Sequence, residues 1–269
     1  MEQLIVLGTG YALATKCYNT CFALTAGGRT LLVDAGGGNG ILSRLEQAGL
    51  PLANIHDLIV THAHSDHVLG VVWVVRAVGS AMLAGRYEGT LTIWCHPGLE
   101  TAIRAMCGFT LQKKFTDLFG KRICFAPVAD GTRGEAAGWP CTFFSIHSTK
   151  MEQYGFALTL HSGKKLVCLG DEPYNPASAA WVQGADWLLS EAFCLYADRE
   201  RFRPYEKHHS TVKDAAELAA ALGAENLVLW HTEDTDLPHR KARYTAEAAA
   251  HFAGRVFVPD DLDKIDLAD

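Results

Sequence analysis

Between residues 61 and 67 the chain reads Thr-His-Ala-His-Ser-Asp-His, and no other stretch restricts the fold as much. The run follows the apolar strand-like segment Asp57-Leu58-Ile59-Val60 and precedes a helical stretch that starts at Val68, so it sits at a strand-to-helix junction. In extended backbone His62 and His64 point to the same side, and the turn into the helix presents Asp66 and His67 together toward an adjacent point. This geometry suits two neighbouring cations. Imidazole and carboxylate donors without a thiolate accept Zn²⁺, Mn²⁺ or Fe²⁺, and a hydrolytic site must keep a position open for water. Two ions need more ligands than one loop supplies, so the fold must bring distant residues to it.

Three candidates repeat the same pattern, a polar residue at the end of an apolar run. His147 follows Thr142-Phe143-Phe144-Ser145-Ile146, Asp171 follows Leu166-Val167-Cys168-Leu169-Gly170, and His231 follows Leu227-Val228-Leu229-Trp230. Layered sheets present their strand ends on one rim, which is where such residues meet. His147 is expected to complete one metal and His231 the other. Asp171 offers two oxygens with which to bridge both.

Strand-like runs at Leu4–Leu7, Cys21–Thr25, Thr30–Val33, Asp57–Val60, Leu91–Cys95 and Ile123–Ala126 form a first batch. Runs at Cys141–Ile146, Gly155–Leu160, Lys165–Leu169, Trp187–Ser190, Leu227–Trp230 and Arg255–Val258 form a second. Helical spacing fits Ile41–Gln47, His67–Val78, Pro97–Met106, Pro176–Gln183, Val212–Leu222 and Tyr244–Phe252. Helices separating strands in both batches predict an α/β (α+β) chain folded as a four-layer αββα sandwich. At 269 residues, without a low-complexity tract or linker, one domain spanning 1–269 is expected.

Composition excludes several classes. A net charge of −6 gives no general attraction for a phosphate backbone, and no basic patch stands out. Apolar stretches such as Val68 to Val75 fall short of the roughly 20 residues of a membrane span, so no membrane partner is expected. The first residues, Met1-Glu2-Gln3-Leu4, lack a basic region and cleavage site, which predicts a cytoplasmic location. The eight cysteines are scattered without a Cys-x-x-Cys pair and read as reduced thiols. Cys17 and Cys21 alone would leave a zinc site half built.

With these elements in view the chain resembles the metallo-β-lactamase superfamily, and within it most closely the ribonuclease Z group. The resemblance rests on Leu7-Gly8-Thr9-Gly10, Leu32-Val33-Asp34-Ala35-Gly36, the Thr61–His67 motif, His147, Gly170-Asp171-Glu172, Ser190-Glu191-Ala192, His209-Ser210-Thr211 and Trp230-His231. It implies a dinuclear metal-dependent hydrolase in which His62, His64 and His147 hold one ion, Asp66, His67 and His231 the other, and Asp171 is shared. It implies further that His209, oriented by Glu191, donates a proton to the leaving group, a role that a group with a near-neutral pKa can fill. His208 beside it is a second candidate for that job. Two adjacent cations would lower the pKa of a shared water toward neutrality, with Asp66 helping to orient it. The remaining histidines, at 56, 96, 161, 239 and 251, are assigned to surfaces, turns or core edges. The group often forms homodimers.

The sequence departs from the group in two places. The interval from His147 to Asp171 holds only two strand-like runs and the turn Ser162-Gly163-Lys164-Lys165, with no room for the long basic arm that grips tRNA. After Asp171 the chain continues Glu172-Pro173-Tyr174-Asn175, where the group often has Thr-Gly. The favoured expectation is therefore an armless phosphodiesterase acting on a small phosphodiester. A tRNA 3′-processing endoribonuclease is the runner-up. A lactone or thioester hydrolase of the same fold and a non-catalytic metal-binding module are further alternatives.

Overall fold

The computed structural model describes residues 1–268. Each half of the chain begins with antiparallel hairpins and continues through helix-linked parallel strands, and each half makes its own sheet except that the last strand of the chain joins the first sheet. The first sheet contains β1 (Gln3–Gly8), β2 (Cys21–Ala26), β3 (Arg29–Val33), β4 (Ile55–Ile59), β5 (Leu91–Cys95) and β6 (Ile123–Pro127) in that spatial order, with β14 (Lys264–Asp266) outside β1. The second contains β7 (Arg133–Ala136), β8 (Trp139–Ser145), β9 (Tyr154–Thr159), β10 (Lys165–Cys168), β11 (Trp187–Glu191), β12 (Asn226–Trp230) and β13 (Arg255–Phe257), again in order. Strands β3 to β6 are mutually parallel, as are β10 to β13. The chain returns between them through α1 (Gly40–Ala48), α2 (Ser65–Leu83), α3 (Pro97–Thr110), α4 (Lys113–Thr116), α5 (Ala179–Val182), α6 (Arg199–Phe202), α7 (Val212–Leu222) and α8 (Leu237–Ala249).

Strand alternation decides the layers. Leu4, Val6, Phe22, Leu24, Leu31 and Val33 face the second sheet and meet Phe143, Phe156, Leu166, Trp187 and Val228 in the central core. The Phe22 and Trp230 rings stack across it with centroids 4.7 Å apart. The alternate residues Ile5, Leu7, Ala23, Leu32 and Leu58 pack outward against α1, α2 and α3. Val167, Leu188, Leu227 and Leu229 do the same against α5, α7 and α8. This is the expected four-layer αββα arrangement.

Helix α2 is the one helix, among the described residues, long and apolar enough to cross a membrane, and more than half of it is buried inside the protein. Its register is locked by a close approach. The Gly70 amide donates to the Gly36 carbonyl at 2.9 Å, and a Cβ on Gly70 would stand 1.9 Å from the Ala35 carbonyl oxygen. Only glycine permits that contact, which seats the second turn of α2 against the end of β3.

Several boundaries differ from the periodicity reading. The last helix begins at Leu237 rather than Tyr244, because Pro238 opens its first turn and the polar run His239-Arg240-Lys241 hides the period. The segment 176–183 splits into a 3₁₀ turn and the short α5. Strand β4 starts at Ile55, two residues earlier than expected, since His56 is a strand residue with a polar partner, the Thr90 carbonyl. The short edge strands β7 and β14 carry too few apolar residues to be seen in advance.

Candidate metal centre

The C-terminal ends of β3, β4, β10, β11 and β12 open on one rim, where open α/β sheets place their sites. Three rim residues, Asp34, His147 and His231, have left-handed backbone with φ of 54°, 56° and 56°. Non-glycine residues adopt that conformation seldom. Here it turns the chain sharply off the strand.

At the centre stands Asp171, buried, with its Oδ2 atom 3.4 Å from His62 Nε2, 3.5 Å from His67 Nε2, 3.7 Å from His231 Nε2 and 3.8 Å from His64 Nδ1. Two groups of side chains bring one ligand atom each to within 4.8 Å of one another: His62, His67 and Asp171, and Asp66, His67 and His231. His64 joins the first group at its open side, its Nδ1 2.8 Å from His62 Nε2. His147 belongs to neither group. It is exposed, and its amide donates to Ser145 Oγ across the left-handed turn. The six remaining expected ligands therefore converge, with His67 central to both groups.

The surroundings fix which atoms face inward. Asp34 Oδ2 lies 2.7 Å from His67 Nδ1 and accepts the Thr61 hydroxyl at 2.8 Å, while its Oδ1 accepts the Thr61 amide at 2.8 Å. Thr61 Oγ1 is also 2.9 Å from His62 Nδ1. Gln153 Nε2 donates to Asp171 Oδ1 at 2.6 Å, leaving Oδ2 for the cluster. Carboxylate and hydroxyl partners of this kind orient metal-binding imidazoles and set their tautomers.

The chemistry of this donor set fits divalent ions. With its Nδ1 on Asp34, His67 turns a buried Nε2, without a hydrogen-bond partner among the described residues, toward two carboxylates, Asp66 at 3.4 Å and Asp171 at 3.5 Å. A lone pair facing two anions is unfavourable unless a proton or a cation stands between them. Burial works against charging His67, but Asp34, Asp171 and Asp66 together push its pKa well up. Burial likewise opposes charge on Asp171, yet the surrounding imidazoles hold its carboxyl well below the usual range. His231 is pushed down to about 3, mainly by burial, so its ring is neutral at neutral pH, as a metal ligand must be. Asp66 sits in the first turn of α2 and is held low by His67 and His231 despite burial.

Beside the cluster, His209 stacks on Phe193 with centroids 5.3 Å apart and stands 5.2 Å from the His231 ring. Its Nδ1 is 3.6 Å from Glu191 Oε2, an ion contact slightly too long for a hydrogen bond, and both atoms are buried without other partners among the described residues. Glu191 Oε1 accepts the Ser210 amide. Burial raises the Glu191 pKa. For His209, burial is outweighed by Glu191 and the pKa is raised. Thr211, not His209, caps α7, closing a capping box with Asp214. His208 lies at an exposed left-handed turn. In the same loop Lys207 lies over the Phe193 ring at 4.9 Å, whereas Arg199 stacks on Tyr196 and Arg203 pairs with Glu206. His96 was expected at a surface or core edge and is buried at the start of α3, 3.1 Å from Glu152.

Three residues around the site are given no role by the sequence: Asp34, Thr61 and Gln153. Asp34 has the same sequence signature as Asp171, an acid at the end of an apolar run and close to a glycine. Gln153 has none.

Two helix-backed sheets with a His and Asp cluster on their common rim define a metal-dependent hydrolase of the metallo-β-lactamase fold. The solved metallo-β-lactamase fold protein YhfI from Bacillus subtilis superposes with a TM-score of 0.78 at 21% identity, covering 98% of both chains. A diphosphatase from the PhnP family gives 0.75 at 18% identity, covering 99% of this chain and 98% of that one. Ribonuclease Z of Mycobacterium sp. (strain KMS) is 27% identical over 288 residues, 99% of this chain and 96% of the relative. The model of the family described as "Anti-Pycsar protein Apyc1" matches residues 2–253, and the chain belongs to that family.

Proposed function

We propose that the chain, as one domain of residues 1–269, is a dinuclear metal-dependent phosphodiesterase acting on a small phosphodiester. The observation that carries this reading is a single carboxylate oxygen, Asp171 Oδ2, ringed by four imidazole nitrogens at 3.4 to 3.8 Å, with a His209–Glu191 pair alongside. His62, His64 and His147 would hold one ion and Asp66, His67 and His231 the other, with the Asp171 carboxylate available to both. When bound, the ions, Zn²⁺ or else Mn²⁺ or Fe²⁺, supply Lewis acidity that activates water and offsets charge on the phosphate. The residues of the chain do the rest. Asp34 and Thr61 keep the imidazoles in the receptive tautomer, Asp66 orients the attacking water, and His209 holds a proton 3.6 Å from Glu191, ready for the departing oxygen.

A small substrate is favoured over tRNA because the chain between His147 and Asp171 consists of a short loop, β9, a turn and β10. Nothing there forms an arm. The names ribonuclease Z and diphosphatase both designate hydrolysis at phosphorus, which favours a phosphodiester over a lactone or thioester. A homodimer is part of this reading. The exposed Leu69 and Trp73 of α2, which with Met106 and Leu111 line a shallow apolar groove, supply the face, and light scattering reads the result.

The test is hydrolysis of bis(p-nitrophenyl) phosphate by metal-loaded protein, together with a panel of cyclic mononucleotides and a precursor tRNA. Turnover of small diesters but not of tRNA supports the proposal. Turnover of tRNA at its 3′ end favours the endoribonuclease. Two bound ions with no turnover of diesters, lactones or thioesters favours a binding module.

A further inference from the structure

The loop joining β8 to β9 crosses the end of β10 and is tied to it at two points. At one end Gln153 donates to the Asp171 carboxylate at 2.6 Å and accepts the Asp171 amide at 3.2 Å. At the other, Ser148 Oγ donates to Glu172 Oε1 at 2.7 Å while accepting the amides of Lys150 and Met151 at 3.1 and 3.3 Å. The Lys150 backbone is thereby fixed on the rim, and its ammonium stands 3.9 Å from the same Glu172 oxygen.

This arrangement is unusual for a loop lysine. Its side chain is only 25% exposed, although lysine ordinarily extends into water and loses rotamer freedom when held. Glu172 is buried beside Asp171, at the position where the resembling group often has threonine. A buried carboxylate on the wall of a site for an anion works against binding unless a cation offsets it. Lys150 supplies that charge without being consumed by it: at 3.9 Å the contact is between charges and too long for a hydrogen bond. All three N–H donors of the ammonium stay available, since no hydrogen bond from Nζ exists among the described residues. The same ammonium is close enough to His209 for its charge to oppose protonation there.

We propose that Lys150 is a specificity-determining residue for an anionic substrate: its ammonium binds a non-bridging oxygen of the phosphodiester, and Glu172 is the positioning residue that aims it. The proposal rests on the phosphodiesterase reading. A flexible point charge suits this task better than a planar guanidinium, because the phosphate is held at one oxygen while its geometry changes.

The experiment measures kcat and KM of the metal-loaded wild type, K150M, K150R and E172Q on bis(p-nitrophenyl) phosphate, with metal content and the affinity for inorganic phosphate measured by calorimetry. Loss of a charge-assisted hydrogen bond predicts a KM about 10- to 100-fold higher in K150M, with phosphate binding weakened by a similar factor and both metals retained. K150R recovers part of the loss, and E172Q shows a smaller rise in KM. If K150M does not fold, Lys150→Gln is read in its place. Unchanged KM and phosphate affinity in a fully active wild-type background overturn the proposal and leave the pair as a loop tether, as does a fall in kcat with KM unmoved. A wild type that carries its metals but neither binds phosphate nor cleaves diesters overturns the phosphodiesterase reading itself.

Discussion

Replacing Asp34 by asparagine separates the orientation of the ligands from their presence. Asp34 touches no ligand atom that faces the cluster, yet three donors end on its carboxylate: His67 Nδ1 at 2.7 Å, the Thr61 hydroxyl at 2.8 Å and the Thr61 amide at 2.8 Å. Asparagine keeps the shape but offers one oxygen and one NH₂. If its oxygen lies on the His67 side, the Thr61 amide faces a donor; if it is flipped, both His67 and the hydroxyl do. Each buried donor left unsatisfied costs about 1–3 kcal/mol, and His67 escapes by exposing its other tautomer, which places a proton on the nitrogen meant for metal. Outer-shell changes of this sort weaken metal binding or activity by about 10- to 100-fold, or roughly 1.4–2.7 kcal/mol. Because His67 belongs to both groups of ligand atoms, both ions should be affected. Competition against a chelator of known affinity reads the change directly, and circular dichroism verifies the fold. D34N binding two ions with wild-type affinity would refute the reasoning that Asp34 sets the His67 tautomer.

Other outcomes follow from the same geometry. H209A should lower kcat on diesters by about 10²- to 10⁴-fold while metal content stays unchanged; retained activity would remove His209 as the proton donor. The His209 pKa is raised because Glu191 outweighs burial, so the protonated, active form persists above the ordinary value of about 6.5 and kcat/KM falls as pH rises through the raised value. E191Q removes the raising cause, and the basic limb of the pH profile should move to lower pH; an unmoved limb contradicts the pairing. G70A drives a Cβ to 1.9 Å from the Ala35 carbonyl and should cost about 3 kcal/mol, a melting-point drop of about 10 °C measurable by calorimetry. T211A removes the cap of α7 and should cost about 1 kcal/mol without changing metal content.

Much of this was legible in the chain itself, for identifiable reasons. The heptad at residues 61–67 and the polar ends of the runs before Asp171 and His231 were readable because parallel strands must end on one rim, whichever way they are ordered. Helix α7 was found residue for residue, since its apolar spacing, Thr211 and Gly223 agree. Helix α8 was misplaced because its first turns are charged, and the period only emerges near Tyr244. The supports of the site were harder to see. Asp34 and Thr61 meet His67 through a turn, and Gln153 reaches Asp171 across a hairpin, contacts that no spacing encodes. His147 shows a further limit: its position at a strand end is clear from sequence, whereas the side-chain direction depends on a left-handed turn.

On the proposed reading one rim would hold two divalent ions that share Asp171. Anomalous diffraction from crystals of metal-loaded protein, collected on either side of the metal edge, tests it most directly. Two peaks are expected beside Asp171, one among His62, His64 and His147 and one among Asp66, His67 and His231. A single peak, or peaks remote from Asp171, would contradict it.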